Sequence, residues 1–215
     1  MHSADQIAPL RLAPAVVVFD YGEVISYSPP ESDRLQLTER AGITPAHTPA
    51  FWRAYWHHRE ELDRGTVSIA DYWARVGDEI GVSWHPLDID QMWALDHRSW
   101  LSLNPDTLRV LQALKAGGTR LALLSNAGVD FSGWLRHGTF SALFERVFVS
   151  GELHLVKPDP AIYEHVIREL GINPAEFLFI DNRADNVDGA RAVGGEGHVF
   201  RDASRLERWL RRLSA

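Results

Sequence analysis

The sequence predicts an α/β fold: a doubly wound parallel sheet carrying an inserted helical cap. Three observations point there. Short apolar runs end on residues able to do chemistry. From Asn104 onward such runs alternate with helical stretches. Between about Ser26 and Trp100 the strand signal vanishes, leaving aromatic and polar sequence at helical spacing. Strands separated by helices imply parallel pairing, since each crossover must return the chain to the same edge.

The first run, Val16-Val17-Val18-Phe19, is β-branched and apolar, as a strand buried on both faces requires, and it delivers Asp20 to the turn Tyr21-Gly22. The next stretch is broken at Pro29-Pro30, Gly42, Gly65, Gly81 and Pro86, so it reads as several helices. Asn104-Pro105 is a helix start and Gly117-Gly118 a stop. Arg120–Leu124 is the second strand, ending at Ser125-Asn126. Val147–Val149 is the third, followed by the turn holding Lys157. Asp159-Pro160 caps a helix with Ile162, Val166 and Leu170 on one face and Gly171 as its stop. Phe177–Ile180 is the fourth strand and ends at Asp181. A glycine-studded helix over Val187–Val193 leads to a short strand at His198–Phe200. Asp202 caps a last helix packing through Leu206, Leu210 and Leu213. The division that follows is a core of residues 1–25 and 101–215 and a cap of residues 26–100.

Composition narrows the function. The 215 residues suffice for one sizeable core plus a small second domain, and 45% hydrophobic with 24% charged residues is ordinary globular usage. A net charge of −7 argues against nucleic acid as a main partner. With zero cysteines there is no disulfide, thiolate metal site or Cys nucleophile, which fits a cytoplasmic protein. No apolar run approaches the roughly 18 residues of a membrane span. Residues 1–14 lack an apolar signal core and read as a loose arm. Oligomeric state is not legible.

Lysine usage singles out one position. Of 22 Lys and Arg residues only two are lysines, Lys115 and Lys157. A chain that writes nearly every cation as Arg keeps a compact ammonium at Lys157, suited to touching one carboxylate and one small anion. In sheets of this kind functional residues collect at the carboxyl ends of the strands. Asp20, Ser125-Asn126, Asp181 and the Lys157 turn therefore face one crevice. Two carboxylates, a cation and two small hydrogen-bonders suit a metal and an anion.

Those motifs resemble the haloacid dehalogenase-like hydrolase superfamily over nearly the whole chain. Phe19-Asp20-Tyr21-Gly22-Glu23-Val24-Ile25 resembles its motif I, Leu124-Ser125-Asn126 motif II, Val156-Lys157-Pro158-Asp159-Pro160 motif III, and Phe179–Asn186 motif IV, with Asp181 and Asp185 as the acidic pair. The resemblance implies a Rossmannoid core with a helical cap of the first type. The most similar variant includes sugar-phosphate phosphatases akin to glucose-1-phosphate phosphatase, and the N-terminal phosphatase domain of soluble epoxide hydrolases. It implies hydrolysis of small phosphate monoesters, with Asp20 as nucleophile forming an aspartyl-phosphate. Mg²⁺ is then the expected cofactor, held by Asp20, Asp181 and a carbonyl at Gly22. Lys157, Ser125 and the Asn126 amide are expected to hold the phosphate, with Asn182 in support. Asp185 has two readings, an outer-sphere metal partner or a carboxylate orienting Lys157. Asn186 reads as a helix cap. Lys157 reads as electrostatic rather than structural, so Lys157→Met is expected to spare the melting temperature.

One departure stands out. Family phosphatases usually carry a second Asp two residues after the nucleophile, as acid and then base; here that position is Gly22, as in members of the variant named above. Glu23 is the neighbouring candidate for the role, and Gly22 itself reads as a possible positive-φ position. The gap leaves open a metal-independent 2-haloacid dehalogenase and a non-catalytic ligand- or protein-binding module.

In the cap, Trp52, Tyr55, Trp56 and Arg59 share a helical face at i, i+3, i+4 and i+7. Trp52 reads as packing, Trp56 and Arg59 as substrate contacts, and His58 as a second polar group within reach of substrate. Trp73, Trp84, Trp93 and Trp100 read as packing. The pair His57-His58 lacks the HExxH zinc pattern and does not read as a metal site.

Overall fold

The computed structural model describes residues 8–12 and 15–214. Five parallel strands form one sheet: β1 (Val16–Phe19), β2 (Arg120–Ser125), β3 (Arg146–Val149), β4 (Phe177–Asp181) and β5 (Glu196–Val199), in the order β3-β2-β1-β4-β5. The doubly wound sheet is thus present. Alternation of side chains along β1 sends Val17 and Phe19 to one face and Val16 and Val18 to the other. On the first face they meet Leu111 and Leu114 of α5 (Pro105–Ala116) and Leu206 and Leu210 of α10 (Ala203–Leu213). On the second they meet Ile162, Val166 and Leu170 of α8 (Pro160–Leu170) and Ala190 of α9 (Ala184–Ala192). Continuous apolar runs, rather than alternating ones, are what two buried faces demand.

Four helices intervene between β1 and α5: α1 (Glu31–Arg40), α2 (Thr48–Asp63), α3 (Ile69–Ile80) and α4 (Pro86–Ser99). They enclose their own core of Phe51, Tyr55, Tyr72, Trp73, Val76 and Met92. The chain leaves and re-enters side by side: Ser26 and Leu103 form an antiparallel bridge, and Asn104 N–H donates to the Ile25 carbonyl at 2.8 Å.

Several details differ from expectation. Leu10 and Leu12, in the segment expected to be a loose arm, are buried, and Leu10 N–H donates to the Ala113 carbonyl at 2.9 Å; residues 1–7 and 13–14 of that segment lie outside the described ones. Leu213 is half exposed, because α10 is in its last turn there. β5 begins at Glu196 rather than His198, since Gly195 and Gly197 disguise its start. Gly197 belongs in a strand because a Cβ there would sit 2.8 Å from Val187 Cγ1 of α9. Two short helices follow β2 and β3, α6 (Ser132–His137) and α7 (Ser150–Leu153), too short to show a period.

Candidate active site

Sheet register sets the site. Phe19 pairs with Leu123 on one side and Ile180 on the other. The next residues, Asp20, Leu124 and Asp181, therefore come level at the carboxyl ends of three adjacent strands. This is where the connections diverge to opposite sides of β1, the usual crevice of such sheets. Ser125, the last residue of β2, stands one step beyond, buried and lining the same cleft of about 500 Å³.

Lys157 enters from the loop before α8. Asn126 clamps that loop at two points: its Oδ1 accepts from Lys157 N–H at 2.9 Å and its Nδ2 donates to the Lys157 carbonyl at 3.0 Å. The ammonium lies 2.7 Å from Asp20 Oδ1 and donates to Asp181 Oδ2 at 2.8 Å and to the Leu124 carbonyl at 3.2 Å. With its side chain only 1% exposed, Lys157 is a buried bridge between two carboxylates. The reading of it as purely electrostatic is corrected accordingly. Burial alone would lower its pKa, but Asp181 and Asp20 outweigh that and hold it above its ordinary value.

Two buried carboxylates against one ammonium leave an excess of negative charge. Desolvation pushes Asp20 up to about 7, against the pull of Lys157 and with a further push from Asp181. Asp181 is fully buried; its Oδ1 accepts from Arg183 N–H at 2.8 Å and its Oδ2 also from Asn186 Nδ2 at 3.0 Å. The Asn186 side chain thus braces Asp181 instead of capping a helix. Its Oδ1 is buried without a partner among the described residues. No described residue donates to the Gly22 carbonyl either. Surplus negative charge and free oxygen acceptors form a donor set that fits a hard cation such as Mg²⁺.

The remaining expected residues are distributed as follows. Glu23 and Asn182 meet at the rim, where Asn182 Nδ2 donates to Glu23 Oε2 at 2.6 Å and Ser28 Oγ to Glu23 Oε1 at 2.6 Å. Asp185 pairs with Arg183, Nη2 to Oδ2 at 2.6 Å, which lowers its pKa. It does not orient Lys157, a task Asp20 and Asp181 already perform. Positive φ falls on Glu23, at 58°, and not on Gly22. A Cβ on Gly22 would meet only Trp100 Cζ3, at an ordinary 3.6 Å.

From the cap, α2 brings Trp56 and Arg59 to the cleft. Trp56 is 55% exposed and free to meet a ligand. Arg59 is occupied: it donates to Asp96 Oδ2 at 2.9 Å, Asp63 Oδ1 at 3.0 Å and Tyr55 OH at 2.5 Å. Burial pushes Asp63 up to about 6, against the pull of Arg59. His58 turns away from the cleft toward Glu79. Trp52, Trp73 and Trp84 pack in or against the cap core. Trp93 instead reaches across to Asp130, Nε1 to Oδ2 at 2.8 Å. Trp100, expected to be packing only, lines the cleft beside Tyr21 and Phe131. The Tyr21 hydroxyl is fixed by Trp100 and Trp134: it donates to the Trp100 carbonyl and accepts from Trp134 Nε1, both at 2.7 Å. Burial pushes this hydroxyl up to about 12. Asp63, four residues after Arg59 on one helix, carried a readable signal. Tyr21 was signalled by its place beside Asp20, whereas Trp100 and Phe131 carried no signal, because only tertiary packing brings them to the cleft.

Comparison with known proteins identifies the family and the fold. Over 200 residues the chain is 27% identical to the sesquiterpene phosphatase astK of Aspergillus oryzae, covering 91% of this chain and 94% of that one. Over 101 residues it is 35% identical to (S)-2-haloacid dehalogenase 1 of a Pseudomonas species, covering 46% and 44%. The fold superposes on a HAD family enzyme of Bacteroides thetaiotaomicron, solved with magnesium and inorganic phosphate. The TM-score is 0.68 at 21% identity, covering 89% of this chain and 98% of that one. The haloacid dehalogenase-like hydrolase profile matches residues 41–194, and the chain belongs to that family of hydrolases.

Proposed function

We propose that the protein is a Mg²⁺-dependent hydrolase of small phosphate monoesters, with residues 1–25 and 101–215 as catalytic core and 26–100 as the cap. The observation that carries this reading is Asp20 and Asp181 sharing one buried ammonium, 2.7 and 2.8 Å from Lys157 Nζ, beside Ser125. Asp20, Asp181 and the Gly22 carbonyl would hold the ion, which supplies counter-charge to phosphate and carboxylate alike. An Asp20 oxygen attacks phosphorus as the ester P–O bond breaks, giving an aspartyl-phosphate and the leaving alkoxide. Water then attacks the same phosphorus, releasing phosphate and restoring the Asp20 carboxylate. Lys157 keeps Asp20 oriented, while Ser125 and the Asn126 amide face the phosphoryl oxygens. The narrower likeness to sugar-phosphate phosphatases is part of this reading.

The cleft also supports a substrate class. Among the described residues lining it, each cation has an anionic partner: Lys157 with Asp20 and Asp181, Arg59 with Asp63 and Asp96, Arg183 with Asp185. Its outer wall adds Glu23 and Glu60, with Trp56, Trp100, Phe131 and Tyr21 as apolar surface. Such a wall favours a phosphate ester of a neutral alcohol with an apolar or polyol body, and opposes a second anionic group. The Aspergillus relative is named a sesquiterpene phosphatase, and a sesquiterpene is an apolar body of that kind. Phosphates of neutral alcohols should show kcat/KM at least about tenfold above phosphoglycolate, one unpaired buried charge being worth that much or more. A preference for phosphoglycolate would contradict this assignment.

Gly22 supplies no proton to the leaving oxygen. Since its backbone accepts a Cβ, Gly22→Asp should raise the rate on alkyl phosphates relative to p-nitrophenyl phosphate, by up to roughly 10²–10⁴ as for a restored general acid. The ratio of the two kcat/KM values checks it. An unchanged ratio, with Glu23→Gln impaired on alkyl esters only, would show that Glu23 already serves as the acid.

The dehalogenase likeness makes 2-chloropropionate the control. Asp181, buried against Lys157 and Asn186, disfavours that reaction, because a second carboxylate facing the nucleophile raises the cost of ionising it. Chloride release that persists in EDTA, without phosphate release, would establish it instead.

A further inference from the structure

We propose that the cap carries a second metal site, built from His57, His58 and Glu79, which takes a transition-metal dication such as Zn²⁺ and ties α2 to α3. The His57-His58 pair alone carries no metal signature. The structure supplies what the sequence motif lacked, a carboxylate from the neighbouring helix. Glu79 Oε2 lies 2.7 Å from His57 Nδ1 and 2.9 Å from His58 Nε2. The three donor atoms all fall within 4.8 Å of one another.

This convergence is unusual for adjacent helical residues, whose side chains diverge by about 100° around the axis. It is reached because the two rings use different nitrogens, the near Nδ1 of His57 and the far Nε2 of His58, with ring centroids 4.6 Å apart. Tetrahedral ligands at about 2.0–2.2 Å from Zn²⁺ stand about 3.4 Å apart, so the nitrogen–oxygen separations of 2.7 and 2.9 Å would open by about 0.5–0.7 Å through rotamer shifts to seat the ion. Both histidine nitrogens face the same carboxylate oxygen, and hydrogen bonds from the rings hold Glu79 below its ordinary pKa. A dication would take the place of the shared protons. Side-chain exposures of 67% for His57 and 33% for Glu79 leave room for water at the open coordination position.

The donor chemistry selects the ion. Two imidazoles and one carboxylate suit Zn²⁺, Co²⁺ or Ni²⁺, whereas Mg²⁺ prefers oxygen donors like those at Asp20 and Asp181. The two sites would therefore be filled by different ions. The consequence is mechanical. The helix pinned by His57 and His58 also carries Trp56, Arg59 and Asp63 to the cleft, so the ion would stiffen the wall that contacts substrate.

The test is Zn²⁺ binding by equilibrium dialysis and calorimetry on the full chain, with Mg²⁺ in excess to occupy the oxygen site. Co²⁺ absorption reports the donor set. One Zn²⁺ per chain is expected, weakened at least about tenfold in each of His57→Ala, His58→Ala and Glu79→Gln, as befits loss of a direct ligand. At a hundredfold excess over Kd, Zn²⁺ should raise the wild-type Tm by roughly 5–10 °C and the Glu79→Gln Tm far less. Glu79→Gln is nearly isosteric, so it separates ligand loss from misfolding. Equal binding by wild type and all three variants would overturn the proposal, as would full displacement of Zn²⁺ by Mg²⁺ or a Co²⁺ spectrum without nitrogen donors. None of these outcomes depends on phosphatase activity, so this proposal and the functional reading fail separately.

Discussion

Asp20→Asn should lower phosphate-ester turnover by roughly 10⁴–10⁶ while leaving the protein folded, the range seen when a nucleophile is deleted from an intact site. The amide keeps the shape of the carboxylate but cannot form the covalent intermediate. Folding should survive, because the substitution removes the surplus charge and leaves Lys157 paired with Asp181 at 2.8 Å. Steady-state kinetics and thermal melting on the same preparation check both halves. A variant that loses its Tm along with its activity would mean that Asp20 is there to hold the fold.

Lys157→Met should lose turnover and stability together. Turnover should fall by roughly 10²–10³, as when one preorganised charge partner is removed from a transition state. Stability should fall too. The ammonium is 1% exposed and is shared by two carboxylates at 2.7 and 2.8 Å. Breaking a buried ion pair from one side costs about 3–5 kcal/mol, because the partner's charge is left uncompensated. In a chain of this size that is a drop in Tm of roughly 6–20 °C. The double variant Lys157→Met/Asp181→Asn separates the two effects: it should recover much of the Tm and none of the turnover. An unchanged Tm in the single variant would indicate that water or an ion reaches the site and that burial is not what governs it.

That second prediction reverses the reading made from sequence, and the reason is physical. Sequence showed that Lys157 follows a strand and stands out in a chain nearly devoid of lysine. It could not show that Asn126 clamps the Lys157 backbone from both sides, or that the side chain is enclosed. The strand ends that meet at the cleft were legible, because a short β-branched apolar run such as Val16–Val18 reads as a doubly buried strand, and register then places Asp20 beside Asp181. β5 was misplaced by two residues because Gly195 and Gly197 read as breakers; Gly197 is in fact a strand position where a Cβ would sit 2.8 Å from Val187 Cγ1 of α9. The cap helices were legible as a group from their breakers, but the roles of their side chains were less so. Arg59 is committed to Asp63 and Asp96, the latter 37 residues away on α4. The same limit hid Glu79, whose link to His58 spans 21 residues and two helices. Short-range spacing finds strand ends and helical faces; pairings across helices need the fold.

The central claim is that Asp20 becomes phosphorylated, and acid quenching tests it most directly. Enzyme mixed with a ³²P-labelled monoester and Mg²⁺ and quenched within the first turnover should retain label on the protein. That label should be released by hydroxylamine, as an acyl phosphate is, and be absent from Asp20→Asn and from EDTA-treated enzyme. Turnover of the ester with no protein-bound label at any quench time, or label that persists in Asp20→Asn, would contradict the account.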